Sequence, residues 1–197
     1  MRRRDFIALI GSTATLPLAA SAQQTGAVWR IGFLTPRSRP SPPAHDTFSD
    51  AFIDGMSSLG YSEGKNLVIE WRYANGDYAQ LAGFANELVS MNLPVIVTYG
   101  TAAARVLQKA TTTVPIVVAA AVDLVGAGIV DSLAHPGGNI TGFSVIDVDI
   151  SAKQLELLKT FSPKLSRVAV LLNPGNSANL DIGRAGYGGE CNHSARD

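Results

Sequence analysis

The chain has 197 residues, and its 16 Lys and Arg balance 16 Asp and Glu to a formal net charge of zero, which argues against a nucleic-acid binder because phosphate recognition needs a clustered basic excess. Hydrophobic residues make up 46% and charged residues only 16%, a composition that fits a folded chain with much buried sheet rather than disorder. A single cysteine leaves no disulfide framework and no Cys-based zinc site, and the length allows one or two domains.

The chain opens Met1-Arg2-Arg3-Arg4-Asp5-Phe6-Ile7-Ala8-Leu9-Ile10 and stays apolar to about Leu18. Ala20-Ser21-Ala22 then forms a small-x-small site. A basic head, an apolar stretch and a small-residue site in that order predict a secretory signal over residues 1–22, cleaved after Ala22. The paired arginines before Phe6-Ile7 point to the twin-arginine route. The plainer alternatives are a short anchor or a chance basic start. No later apolar run reaches the roughly 18 residues of a membrane span, so the mature chain is expected to be soluble in the periplasm with no span of its own.

Strand and helix patterns alternate from there. Val28 to Thr35 reads as a buried strand, ending in a proline-rich loop to about Ala44. Phe48, Ala51, Phe52, Met56 and Leu59 fall on one helical face, with Gly60 placed as a C-cap glycine. Between Asn66 and Tyr73, Leu67, Ile69, Trp71 and Tyr73 alternate as one face of a strand. Asp77 is placed to cap a helix that buries Leu81, Phe84, Ala85, Leu88 and Val89. Pro94 to Tyr99 and Pro115 to Val122 are apolar strands separated by a helix from Gly100-Thr101 to about Ala110. A helix is expected from Asp123 to about Leu133, a strand over Ile140 to Ser144, a helix over Ser151 to Phe161 with Leu155 and Leu158 inward, and a sixth strand over Arg167 to Leu172. Continuously apolar strands between helices imply a parallel sheet covered on both faces. The fold class is therefore α/β, a doubly wound parallel sheet.

Ligands of such sheets lie beyond the carboxyl ends of the strands. Thr35, Gly100, Thr101, Asp123 and Ser144 are expected there. Gly100-Thr101-Ala102 joins a buried strand to a helix start, where unpaired amides and the dipole attract an anion such as a carboxylate. The alternative is that Thr101 only caps its helix and Gly100 only eases a turn. Asp123 suits a ligand amine or an N-cap, and Ser144 suits a ligand or a strand terminus. Trp29, Trp71 and Tyr73 read as core or surface of the first two strands. No nucleophile elbow, metalloprotease motif or phosphate loop occurs, and Gly126-x-Gly128 lacks the third glycine of a dinucleotide fingerprint. His45, His135 and His193 lack ligand spacing. No metal site, no cofactor and no catalytic constellation is expected.

Several further segments carry a resemblance. They are the Arg-Arg-x-Asp-Phe-Ile head, Ile31-Gly32-Phe33-Leu34, Gly60-Tyr61-x-Glu63-Gly64-x-Asn66, Ile69-Glu70-x-Arg72, Thr112-Thr113-x-Pro115-Ile116-Val117, His135-Pro136-Gly137-Gly138-Asn139-Ile140-Thr141-Gly142, Leu155-Glu156-Leu157-Leu158 and Leu172-Asn173-Pro174. Over residues 1 to about 177 the chain resembles the ABC-transporter substrate-binding proteins related to tryptophan-binding lipoproteins. The resemblance implies a type I periplasmic binding fold, in which two α/β lobes close on a small ligand by hinge motion. It implies a first lobe over 23–145, and a hinge crossover and the start of a second lobe over 146–177. It also implies an amino-acid-like, aromatic ligand, and delivery to an ABC permease in the inner membrane. The segment Gly100-Thr101-Ala102 would line the cleft, and Asn173 would be the first cleft residue of the second lobe.

In that pattern the second lobe is only begun. The tail 178–197, which holds Cys191, has no strand or helix period and reads like translation in a shifted frame. A truncated product with impaired ligand trapping is expected, with an exposed sheet edge that invites aggregation. The competing readings are a ligand-sensing interaction module for a membrane receptor and an α/β enzyme.

Overall fold

A computed structural model of the chain describes residues 27–40, 46–145, 148–171, 173 and 176. The export segment 1–22, the tail 178–197 with Cys191 and His193, and His45 lie outside the described residues. Five strands, β1 (Trp29–Thr35), β2 (Leu67–Tyr73), β3 (Ile96–Tyr99), β4 (Ile116–Val122) and β5 (Ile140–Val145), form one parallel sheet in the order β2-β1-β3-β4-β5. Among the described residues four α-helices accompany them: α1 (Thr47–Ser58), α2 (Leu81–Ser90), α3 (Thr101–Ala110) and α4 (Val148–Phe161). The doubly wound α/β arrangement is the one the alternation predicts.

Pleat and helical face together set the layers. One face of the sheet packs Leu34, Ile96, Ile116, Val118 and Ile140 under Leu81, Ala85 and Leu88 of α2, and under Ala103, Ala104 and Leu107 of α3. On the other face Ile31, Phe33, Leu67, Ile69 and Val97 meet Phe52, Ile53 and Met56 of α1. Phe33 sits 4.6 Å from Trp71 and 5.1 Å from Phe52, so Trp71 belongs to this second core. Within the sheet, the fully buried Thr98 hydroxyl donates to the Leu34 carbonyl at 2.9 Å, tying β3 to β1.

Local signals fix several ends. Gly60 takes φ +89, its amide donates to Ser57 and the Tyr61 amide donates to Met56, which is the Schellman closure a C′ glycine allows. Asp77 caps a short 3-10 turn (Tyr78–Gln80) by accepting from the Ala79 amide, and α2 follows that turn directly.

Four expectations are corrected. The stretch after Asp123 is a series of turns, not a helix. Asp123 sits at φ +45 and Gly128 at φ +66, and the Ile129 and Val130 amides both return to the Leu124 carbonyl. Two glycines in five residues cost a helix about 1 kcal/mol each, and burial of Leu124, Ile129 and Val130 needs only the turn. Residues 167–171 form no strand, because a strand needs a neighbour to receive its ladder and none among the described residues lies beside them. Leu158 is exposed rather than inward, while Leu155 is half-buried. Coverage of both faces holds at β1 and β3 but not at the far edge. Val117 and Phe143 on the α1 side are exposed, because α1 does not reach them.

Candidate functional site

In this sheet the order of strand addition reverses between β1 and β3, and a crevice opens beyond their carboxyl ends at that switch point. A cleft of about 320 Å³ lies there. Its walls come from the loop after β1 (Pro36, Arg37), from Tyr78, from the β3–α3 junction (Tyr99, Gly100, Thr101, Ala102) and from the ends of β4 and β5, with Asn176 also reaching it.

The β3–α3 junction supplies the backbone part. Gly100 adopts φ +91 and ψ 145, a conformation that strains any residue with a Cβ, and its amide donates to the Ala120 carbonyl at 2.8 Å. That twist turns the start of α3 toward the cleft. The first helical bond runs from the Ala104 amide to the Gly100 carbonyl, which leaves the Thr101, Ala102 and Ala103 amides without an intrahelical acceptor. The positive end of the α3 dipole therefore faces the crevice.

Arg37 supplies the charge. Its guanidinium lies 4.7 Å from the Phe48 ring centroid and 5.7 Å from that of Tyr99, and the two rings are 4.7 Å apart. Its Nε and Nη2 donate to Asp46 Oδ1 at 3.2 and 3.0 Å. Asp46 is buried at the start of α1 and also accepts from the Ser49 hydroxyl at 2.7 Å. Burial alone would raise the Asp46 pKa. The Ser49 hydrogen bond and the Arg37 charge outweigh it and hold the carboxyl below its ordinary value. Tyr73, whose hydroxyl stands 3.4 Å from Ser49 Oγ, is pushed up by burial.

Of the residues read from the sequence, Gly100, Thr101 and Ala102 line the cleft together. The Thr101 hydroxyl neither caps α3 nor offers a donor to a ligand. It donates to the Val122 carbonyl at 2.8 Å and accepts from the Val122 amide at 3.0 Å, clasping α3 to the end of β4. Thr35, Asp123 and Ser144 stand behind the lining. Thr35 is buried and accepts from the Arg37 amide. Asp123 Oδ1 accepts from the Gly126 amide at 2.8 Å, and Ser144 Oγ accepts from the Leu124 amide at 3.0 Å. Asn173 is exposed, and Asn176, three residues on, is the one that reaches the cleft. Sequence reasoning missed Arg37, Tyr78 and Tyr99. The available signal was position: Arg37 follows β1 by two residues and Tyr99 ends β3, the two strands that flank the switch point.

Comparison with known proteins places this geometry. Residues 40–182 match the family described as ABC transporter substrate binding protein. A tyrosine-binding protein of Clostridioides difficile (strain R20291) is 35% identical over 132 residues, covering 66% of this chain and 37% of that protein. A conserved domain protein of Vibrio cholerae superposes with a TM-score of 0.68 at 32% identity, covering 80% of this chain and 51% of that one. A domain from Streptococcus pneumoniae solved with L-Trp gives a TM-score of 0.66 at 28% identity, with 80% and 52% covered. The chain thus spans just over a third of the tyrosine-binding relative and about half of each solved structure. The α/β fold with its parallel five-stranded sheet is that of type I periplasmic binding proteins, and the chain belongs to the ABC transporter substrate-binding protein family.

Proposed function

We propose that this chain carries the first ligand-binding lobe of an exported ABC-importer component that captures a small amino-acid-like, aromatic solute and presents it to an inner-membrane permease. The observation that carries the reading is the convergence, at the switch point, of the α3 amides, Arg37 and the Tyr99 ring on one cleft. A carboxylate between the helix start and Arg37, with a ring against Tyr99, uses each of those groups. Relatives named for tyrosine binding and solved with L-Trp point the same way. The Thr35, Thr101 and Ser144 hydroxyls are engaged with backbone groups, so none of the three is set beside a general base as an α/β enzyme requires.

The basic, apolar and small-residue order over residues 1–22 supports reading them as an export signal cleaved after Ala22, and hence periplasmic delivery. The test is a titration of the purified chain with L-tyrosine and L-tryptophan, followed by amide NMR shifts. Shifts at residues 99–103 support the reading, and shifts elsewhere or none refute it. A fusion of residues 1–30 to a reporter that is active only after export tests the localisation.

A further inference from the structure

Among the described residues that line the cleft, Arg37 is the one charged side chain and none is a carboxylate. We infer that Arg37 sets the ligand's charge and orientation: this lobe takes the carboxylate end of an aromatic acid, and an ammonium group on the ligand is dispensable to it. The inference rests on the substrate-binding reading above.

The geometry supports a built cation rather than a loose surface one. The Phe48 and Tyr99 rings lie against the guanidinium, and the buried Asp46 grips it through Nε and Nη2. Asp46 is itself held by Ser49 at the start of α1, so the negative charge is turned into the protein. The Arg37 side chain, which lines the cleft, remains 41% exposed. A planar guanidinium fixed in this way can still donate from its remaining N–H groups to a carboxylate. An ammonium placed in the same cleft meets a fixed like charge and no carboxylate lining the cleft among the described residues. Pro36, Tyr78 and Tyr99 leave room on the flanking walls for a ring.

Three compounds with one ring separate the charges: 3-(4-hydroxyphenyl)propanoate, tyramine and L-tyrosine. Saturation-transfer NMR on the full chain at neutral pH should show the acid and tyrosine in contact, with tyramine about five-fold weaker, the scale of a half-exposed ion pair. Arg37→Gln should level the acid with tyramine, and Arg37→Lys should recover part of the difference. The wild-type comparison needs no variant, so it stands even if Arg37→Gln unfolds. Tyramine equal to the acid in the wild type overturns the inference while the binding reading survives. A preference that persists in a folded Arg37→Gln variant removes Arg37 as its cause. Transfer to none of the three overturns both.

Discussion

At the scale of single residues, polar side chains around the cleft hold backbone more than they await a ligand. Thr101 is 5% exposed and engages both the amide and the carbonyl of Val122. Thr101→Val keeps the shape and strands both groups, so it should cost about 1–3 kcal/mol in urea unfolding, and Thr101→Ser should restore most of it. A neutral Thr101→Val would show that water replaces the clasp. Asp46 makes a pH prediction whose sign follows from its lowered pKa. A carboxyl depressed in the folded state adds stability above its unfolded value, near 3.8, and loses it as pH falls from there through the folded value. Asp46→Asn should therefore be less stable than wild type at neutral pH, and the gap should close in acid below about pH 4. A gap that stays constant with pH would assign the loss to packing. These roles were only half legible in the sequence. Thr101 and Asp123 were recognised as chemistry at strand ends, but which partner each hydroxyl or carboxylate meets depends on register between strands that are distant in sequence. Arg37 was invisible for the same reason, since its aromatic and acidic partners come from α1 and β3.

At the scale of elements, what was readable is what period and punctuation encode. The five strands and the helices α1 to α3 follow from alternation, helical spacing and glycine or aspartate at their ends. The stretch after Asp123 misled because Leu124, Ala127 and Val130 keep helical spacing while Gly126 and Gly128 remove the propensity to use it. Gly142 shows a constraint no single strand pattern reveals. It lies opposite Val118 where β4 and β5 shift register, and a Cβ there would stand 2.1 Å from the Val118 carbonyl oxygen and 2.7 Å from its Cβ. The neighbour is backbone, so it cannot swing aside. Gly142→Ala should cost about 3 kcal/mol and loosen β5 first, visible as faster amide exchange over 140–145 than over β3. The two sheet edges also differ. β2 carries two charged residues, Glu70 paired with Arg30 of β1 and Arg72 paired with Glu87 of α2, whereas β5 has no charge and leaves Phe143 75% exposed. Uncharged edges template strand addition. Phe143→Lys should reduce light scattering on storage with little change in melting temperature, whereas unchanged scattering would place the sticky surface elsewhere.

At the scale of the whole molecule, stability should be divided rather than uniform. Both apolar clusters draw on residues between Ile31 and Ile140, and the side chains of 153–161 add none to either. Beyond β5 six large apolar residues face out, Leu157, Leu158 and Phe161 on α4, then Val168, Val170 and Leu171, while Leu155 and Leu165 are half-buried. Over 166–171 the chain has no regular secondary structure. Local unfolding free energy tracks buried apolar contact and backbone pairing, and this region is poor in both. Amide exchange should therefore find β1, β3 and β4 opening only with global unfolding, α4 exchanging earlier, and residues 166–171 near unprotected rates. A chain ended after Val145 should keep the cooperative transition and shift its melting temperature by less than about 4 °C, the scale of 1 kcal/mol in a domain of this size. If that shortened chain instead melts without cooperativity, α4 and the segment after it supply part of the core, and the lobe over 23–145 is not an independent folding unit. If the transition survives, the binding proposed for the α3 start can be tested on the shortened chain alone, which separates the proposed parts of Arg37, Tyr99 and the α3 amides from anything Asn176 adds.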